Sequence, residues 1–347
     1  MKKATMKDIA NKLNISINAV SLALNSKAGV SEETRKIVFD TANEIGYLEK
    51  SNKFIKTYAS KNICVLIRKL YFEDNYFYSK ILMGVVEESR KNGYDIITSI
   101  ISENDMSIPT CIENEKVCGV IVIGAIDDEY LIRLKENNIP VVLVDYESFV
   151  ESTDCILTDN KYGSFSLAKL LFDRGYRKIG FFGELAYSLS VKERFFGYSE
   201  AIKKFVQFSN RDEFLEYINN HSILDDIEGY IINQDTDKIV EKLRIIKEMP
   251  EAFVCSNDNA AILLISALEQ LGYSVPADIS VVGFDNIAIS SLVVPNITTV
   301  SVEKELMGRK ALQRLLWRLD NKGDMNECIV MGVTLIERDS VGFKKLP

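Results

Sequence analysis

Histidine is almost missing from this sequence: the 347 residues contain one, His221. A metal site built from several histidines and a mechanism that needs two are therefore excluded, and His221, in a polar segment, is not expected to be catalytic. The six cysteines (Cys64, Cys111, Cys118, Cys155, Cys255 and Cys328) form no CxxC pair and show no zinc-ligand spacing. Most stand in apolar runs, where a free thiol packs as a small hydrophobe, which suits a reducing cytoplasm. No apolar run approaches the ~20 residues of a membrane span. Lys2 and Lys3 are not followed by the apolar stretch of an export signal, so a cytoplasmic location is expected. The phosphate and nucleophile signatures GxGxxG, GxxxxGK(S/T) and GxSxG are also missing, which disfavours dinucleotide, nucleoside-triphosphate and serine-hydrolase chemistry. No cofactor, metal or catalytic residue is expected.

What is present is an ordinary globular composition, 47% hydrophobic and 27% charged, with the charge unevenly spread. The net charge is −8, yet residues 1–62 hold 11 Lys+Arg against 6 Asp+Glu, and the remainder 31 against 44. A basic head on an acidic body fits a head that meets phosphate.

The head is legible from Thr5 to Asn25 as two short helices joined by a tight turn. Thr5 caps the first, with Asp8 three residues on in a capping-box variant. Ile9, Ala10 and Leu13 form its apolar stripe. Asn14 tolerates the left-handed backbone of a tight turn, and Ser16 caps the second helix. There Val20 and Leu24 point inward, while Ile17, Asn18, Ser21, Leu22 and Asn25 share the opposite face. Asn18 can pair bidentately with an adenine edge. Ile17 and Leu22 suit thymine methyls, and Ser16, Ser21 and Asn25 suit phosphate oxygens. Such a helix-turn-helix can place its second helix in a major groove. A helical hairpin without a nucleic-acid role, or a face that packs on protein, fits the same spacing. A third helix starts at Ser31, with Ile37, Val38, Ala42 and Ile45 as its buried stripe and Gly46 as its stop. Residues 1–48 thus form one unit, and the polar, lysine-bearing segment 49–61 reads as a linker.

From Asn62 the pattern alternates strands and helices. Strands are expected at Ile63–Ile67, Asp95–Ile101, Val117–Ile123, Pro140–Asp145, Cys155–Thr158, Lys178–Gly183, Ala252–Ser256, Ile279–Phe284 and Ile297–Val302. Helical patterns lie between them, such as Tyr78–Asn92, Tyr162–Arg174 and Glu303–Leu319. Continuous apolar strands alternating with helices imply parallel sheets covered on both faces. About nine such strands suggest two sheets, with ligands at the carboxyl ends of the strands.

In its order of parts the chain resembles the lactose-repressor (LacI/GalR) family of bacterial transcription regulators. The head carries Met6-Lys-Asp-Ile-Ala, Ile15-Ser, Ala19-Val-Ser, Leu24-Asn25, Val30-Ser-Glu-Glu-Thr-Arg35 and Ile45-Gly-Tyr47. The body carries Gly119-Val-Ile-Val-Ile-Gly124, Gly175-Tyr-Arg-Lys-Ile-Gly180, Arg194-Phe-Phe-Gly-Tyr198, Ser256-Asn-Asp258, Ile279-Ser-Val-Val-Gly-Phe-Asp285 and Pro295-Asn-Ile-Thr-Thr-Val300. The resemblance implies an all-α helix-turn-helix head on an α/β body with two parallel-sheet lobes of periplasmic-binding-protein type. It divides the body, 62–347, into lobe one (about 63–157 and 300–325) and lobe two (about 158–299 and 326–343), with three crossings between them. It further implies a homodimer on palindromic double-stranded operator DNA, controlled by a small effector, a sugar or sugar phosphate, that closes the interlobe cleft. The segment 49–61 departs from the family: the Pro-Asn and the Ala…Leu pattern of its minor-groove hinge helix are missing, and Gly175-Tyr176 stands where Gly-His is usual.

By the same resemblance Phe77, Asp145, Arg194, Asn257, Asp258 and Asp285 line the cleft. Carboxylates and a guanidinium converging there suit sugar hydroxyls. On that assignment Arg194→Ala abolishes the effector response and spares DNA binding. An interlobe salt bridge between Arg194 and Asp285, and a capping role for Asn257-Asp258, are the structural alternatives. The competing function is a cytoplasmic sugar-binding protein or sugar-active enzyme with no role on DNA.

Overall fold

The computed structural model describes residues 4–24, 29–45, 47, 61–74, 76–102 and 105–344. Asn25, Gly46 and the linker up to residue 60 lie outside the described residues.

Three helices open the chain: α1 (Met6–Leu13), α2 (Ile17–Leu24) and α3 (Glu32–Glu44). Their shared core is Ile9, Ala10, Val20, Ala23, Val38 and Ala42, with Leu13, Ile15 and Leu24 packed against it. Local chemistry fixes each start. The Asp8 carboxylate accepts from the Thr5 backbone N–H (2.8 Å) and hydroxyl (2.6 Å). Ser16 Oγ accepts from Ala19 N–H at 3.0 Å, and Ser31 Oγ from Thr34 N–H at 3.1 Å. Asn14 turns the corner with φ 54°. Lys12 pairs with Glu44 across α1 and α3. One expectation fails: Ile37 is 47% exposed, so the stripe of α3 rests on Val38 and Ala42 one position on.

Lobe one is a six-stranded parallel sheet of order β10-β5-β4-β3-β1-β2. Its strands are β1 (Asn62–Arg68), β2 (Asp95–Ile101), β3 (Gly119–Ile123), β4 (Val141–Val144), β5 (Asp154–Thr158) and β10 (Cys328–Met331). β3, β4 and β5 are buried at every position, as the unbroken apolar runs of β3 and β4 require, whereas the edge strands β2 and β10 are half exposed. Helices α4 (Lys69–Phe72), α5 (Tyr78–Lys91), α6 (Thr110–Glu113) and α7 (Asp128–Lys135) connect them.

Lobe two contains α8 (Asn160–Asp173), β6 (Ile179–Phe182), α9 (Leu189–Phe205), α10 (Arg211–His221), α11 (Glu228–Ile232), α12 (Thr236–Arg244), β7 (Ala252–Cys255), α13 (Asp258–Gln270) and β8 (Ser280–Val282). β6, β7 and β8 form a parallel sheet. β9 (Thr299–Ser301) then pairs antiparallel with β11 (Thr334–Ile336), and α14 (Lys304–Asp320) returns to lobe one.

The chain therefore crosses between lobes three times: after β5, after β9, and between β10 and β11. The expected division needs one correction. β10 had been assigned to lobe two with the rest of 326–343, but it pairs in parallel with β5 and completes the sheet of lobe one. β11 and the segment after it lie on lobe two, where the Ser340 carbonyl accepts from Val281 N–H at 3.0 Å.

α14 is anchored by two means. Asp154, buried at the start of β5, accepts from Arg314 Nε (2.9 Å) and from Arg318 Nε and Nη2 (2.7 and 2.9 Å). Burial raises the pKa of its carboxyl, but the Arg318 hydrogen bond and its companions outweigh that and hold it below the usual value. At the other end α14 lies directly on α5. A Cβ on Gly84 would stand 2.0 Å from the Glu305 carbonyl oxygen, and one on Gly308 2.0 Å from that of Ile81. Only glycine permits so close a crossing. Among the described residues no helix is long and apolar enough to cross a membrane.

Candidate effector cleft and DNA-reading helix

The carboxyl ends of the strands in both lobes open onto one cavity of about 600 Å³, a size suited to a small molecule. Two cleft-lining residues stand in left-handed backbone just past strand ends: Asp145 (φ 57°) after β4 and Asp285 (φ 101°) after β8. Such strain persists only where the surroundings enforce it, and it collects at ligand sites.

Arg194, on α9, is the hub. Its Nε donates to Asn160 Oδ1 at 2.8 Å, Nη1 to the Ser256 carbonyl at 2.6 Å and Nη2 to Asp285 Oδ1 at 2.9 Å. The guanidinium also lies 3.9 Å above the Phe284 ring. Both the cleft assignment and the salt-bridge alternative therefore describe Arg194: it faces the cavity while pairing with Asp285. The pair lies within lobe two and is not an interlobe bridge.

Asp145 stands opposite, in lobe one. Tyr78 Oη donates to its Oδ2 at 3.0 Å, and Ser190 Oγ reaches across the cleft to its Oδ1 at 3.3 Å. Burial pushes the Asp145 pKa up to about 6 against the opposing pull of Arg194.

The remaining expected residues serve the wall. Asn257 Oδ1 caps α13, accepting from Ala260 N–H at 2.8 Å. Asp258 is fully buried, and its oxygens accept from Thr299 Oγ1 (2.6 Å) and Ile287 N–H (2.8 Å), so it braces the loop after Asp285. Burial raises its pKa to about 7. Phe77 is buried edge-on to Tyr78, with ring centroids 5.0 Å apart, and borders the cavity from within the core. Of the run Tyr76, Phe77, Tyr78, it is Tyr78 that takes a polar role in the cleft. Sequence reasoning missed Asn160, Ser190 and Glu228. Asn160 stands two residues past β5, where the strand-end rule could have found it. Glu228, on the short α11, carried no signal. His221 is buried, with Nδ1 2.7 Å from the Tyr217 carbonyl oxygen, and does not border the cavity.

On the head, Ile17 (49% exposed) and Asn18 lie outward on α2, Ser21 and Leu22 are half-buried, and Val20 and Ala23 are sealed inside. Thr5 and Ser16 are exposed at the helix starts that their hydroxyls help to fix.

Two family descriptions match the chain. Residues 5–49 fit "Bacterial regulatory proteins, lacI family", and residues 168–341, half of the chain, fit the periplasmic binding protein-like domain. The chain belongs to the lacI family of bacterial regulatory proteins. It is a helix-turn-helix, DNA-binding transcriptional repressor with an effector-binding domain, in a family of regulators and not of enzymes. Similar chains include the repressors named PurR of Mannheimia succiniciproducens (26% identical over 344 residues, covering 97% of this chain and 98% of the relative) and of Aliivibrio fischeri (29% over 346 residues, 97% and 98%). Among solved structures, the lac repressor dimer bound to operator and the anti-inducer ONPF superposes with TM-score 0.65 at 22% identity, covering 98% of this chain and 99% of that one. A CelR–cellobiose complex does so with TM-score 0.67 at 19% identity (97% and 100%). A ribose-bound LacI-family regulator from Enterococcus faecium reaches 0.66 at 20% (82% and 100%).

Proposed function

We propose that this lacI-family repressor works in the cytoplasm as a homodimer. It reads a palindromic operator with α2 and is controlled by a small carbohydrate held between its lobes. The observation that carries this reading is the cavity itself. Asp145 from one lobe and Arg194 with Asp285 from the other offer directional acceptors and donors at strand ends, and hydroxyl-rich ligands are recognised by such groups. The cellobiose and ribose in the two related structures support the same ligand class. On the head, Asn18 is the base-reading residue, Ile17 and Leu22 supply apolar contacts, and Thr5, Ser16, Ser21 and Asn25 meet the backbone. The effector acts by preferring one arrangement of the lobes over the other, and the operator shares that preference.

Fluorescence anisotropy of the full-length protein on promoter fragments from its own locus tests this. Binding to one fragment should fall steeply with salt, as several phosphate contacts require, and should respond to a sugar at fixed salt. Salt-insensitive binding, or no sugar response on any bound fragment, would overturn the proposal.

A further inference from the structure

Glu228 lies in lobe two at the start of α11, and its side chain borders the cavity although the residue is only 5% exposed. Its Oε2 has no hydrogen-bond partner among the described residues. The nearby backbone donors are already taken: Glu184 Oε2 accepts from both Ile227 N–H and Glu228 N–H, each at 2.9 Å. Glu184 and Tyr187 flank Glu228, and Arg194 is the cation that acts on it. Burial, reinforced by Glu184 and opposed by Arg194, pushes its pKa up to about 7. A buried carboxylate oxygen left without a donor is costly, so its persistence at a cavity wall points to a donor that arrives with a ligand.

The charge of the cavity narrows that ligand. Among the described residues its wall carries six carboxyl groups against the single guanidinium of Arg194, and no lysine. Arg194 commits Nε and Nη1 to Asn160 and Ser256 and grips Asp285 with Nη1 and Nη2. At most one of its five N–H groups remains for a ligand. A phosphate would thus find almost no cationic donor to meet it.

We infer that Glu228 sets the specificity of the cleft, accepting through Oε2 an O–H or N–H of a ligand that bears no phosphate or other anionic group. This rests on the reading of the cleft as the effector site and narrows it from sugars and sugar phosphates to the unphosphorylated class. Asp145, on the facing lobe, accepts a second donor from the same ligand. A site built to receive a hydrogen bond rejects analogues that cannot give it.

The test uses the full-length protein with matched probes, by thermal shift and titration calorimetry: ribose and ribose 5-phosphate, glucose and glucose 6-phosphate, glucosamine, and cellobiose. At least one unphosphorylated probe should raise the melting temperature, and its phosphorylated counterpart, where one is present, should not. Glu228→Gln should weaken that probe at least tenfold while the ligand-free variant melts at or above the parent. A merely structural Glu228 would instead lower the ligand-free melting temperature and leave affinity unchanged. A phosphorylated probe that binds as tightly as its parent sugar, unaltered affinity in E228Q, or silence from every unphosphorylated probe overturns the inference. If a sugar phosphate binds and shifts operator affinity, the inference fails and the proposed function stands. If a sugar binds as expected but leaves operator affinity unchanged, the proposed function fails instead.

Discussion

Removing the Arg194 guanidinium should do more than silence the effector response. It would leave the Asp285 carboxylate buried with its cation gone, strip the Ser256 carbonyl and Asn160 amide of their donor, and empty the space above Phe284. Lys304 does not compensate, because it donates to the backbone carbonyl of Asp285 and not to its carboxylate. Breaking a buried ion pair on one side costs about 3–5 kcal/mol, whereas replacing both partners by neutral groups of similar volume is often close to neutral. Arg194→Ala should therefore lose about 3–5 kcal/mol of unfolding free energy, a large part of the roughly 5–15 kcal/mol that a folded protein of this kind possesses. Arg194→Lys keeps the charge but not the planar fork and should fall between. The double variant Arg194→Met/Asp285→Asn should recover about 2 kcal/mol or more relative to Arg194→Met alone. Urea denaturation followed by circular dichroism, run as a double-mutant cycle, measures all of these. A loss below about 1 kcal/mol in Arg194→Ala, or a double variant no better than the single one, would refute the argument that this pair is held as a buried unit. The expectation from resemblance that Arg194→Ala spares DNA binding is correspondingly amended: the variant should bind operator only where it remains folded.

Other outcomes follow from the same geometry. Asn18→Ala should cost about 1–3 kcal/mol on the specific operator and almost nothing on random duplex, read by anisotropy; an equal loss on both would limit Asn18 to the backbone. Gly308→Ala should destabilise by roughly 1–3 kcal/mol despite the helix propensity of alanine, because the added methyl meets the Ile81 carbonyl; denaturation that shows a gain would mean that α5 and α14 separate freely. Asp154→Asn should lower stability at pH 7, and the wild-type contribution should vanish as pH falls through the depressed pKa of Asp154, so the two proteins converge in acid. Asp145 has the opposite sign. Its folded pKa of about 6 exceeds its unfolded value of roughly 3.9, so the folded state binds the proton more tightly and stability declines as pH rises from about 4 to 6. Asp145→Asn should flatten that decline in melting temperature.

The sequence announced most of the architecture where the pattern was strong. Unbroken apolar runs such as Val120–Ile123 and Val141–Val144 became central strands because burial there is total, and the head followed its caps and the stripe of Ile9, Ala10, Val20 and Ala23. The residue pattern did not mark out β10 and β11, for the converse reason. They are short and half exposed, and their pairing with strands some 170 and 35 residues earlier leaves no local trace. Ile37 misled because neighbouring positions on a helix differ by 100°, and the inward face of α3 is centred on Val38 and Ala42, which leaves Ile37 turned toward solvent. In the cleft, resemblance named the residues at strand ends but not their duties. Nothing in the letters of Asn257-Asp258 distinguishes a cap and a brace from a ligand contact. Glu228 could not be found at all, since it reaches the cavity only through the tertiary placement of a five-residue helix.

The three crossings have a mechanical consequence. Only Asp159 separates β5 from α8, only Val302 and Glu303 separate β9 from α14, and only Gly332 and Val333 separate β10 from β11. The first and third are also laced together, with Asp159 N–H donating to the Met331 carbonyl at 2.9 Å. Threads so short and so bound cannot lengthen or slide, so the halves are free only to pivot about them. Whatever work a bound molecule performs on this protein must therefore emerge as torque about a single axis, turning backbone angles at five residues.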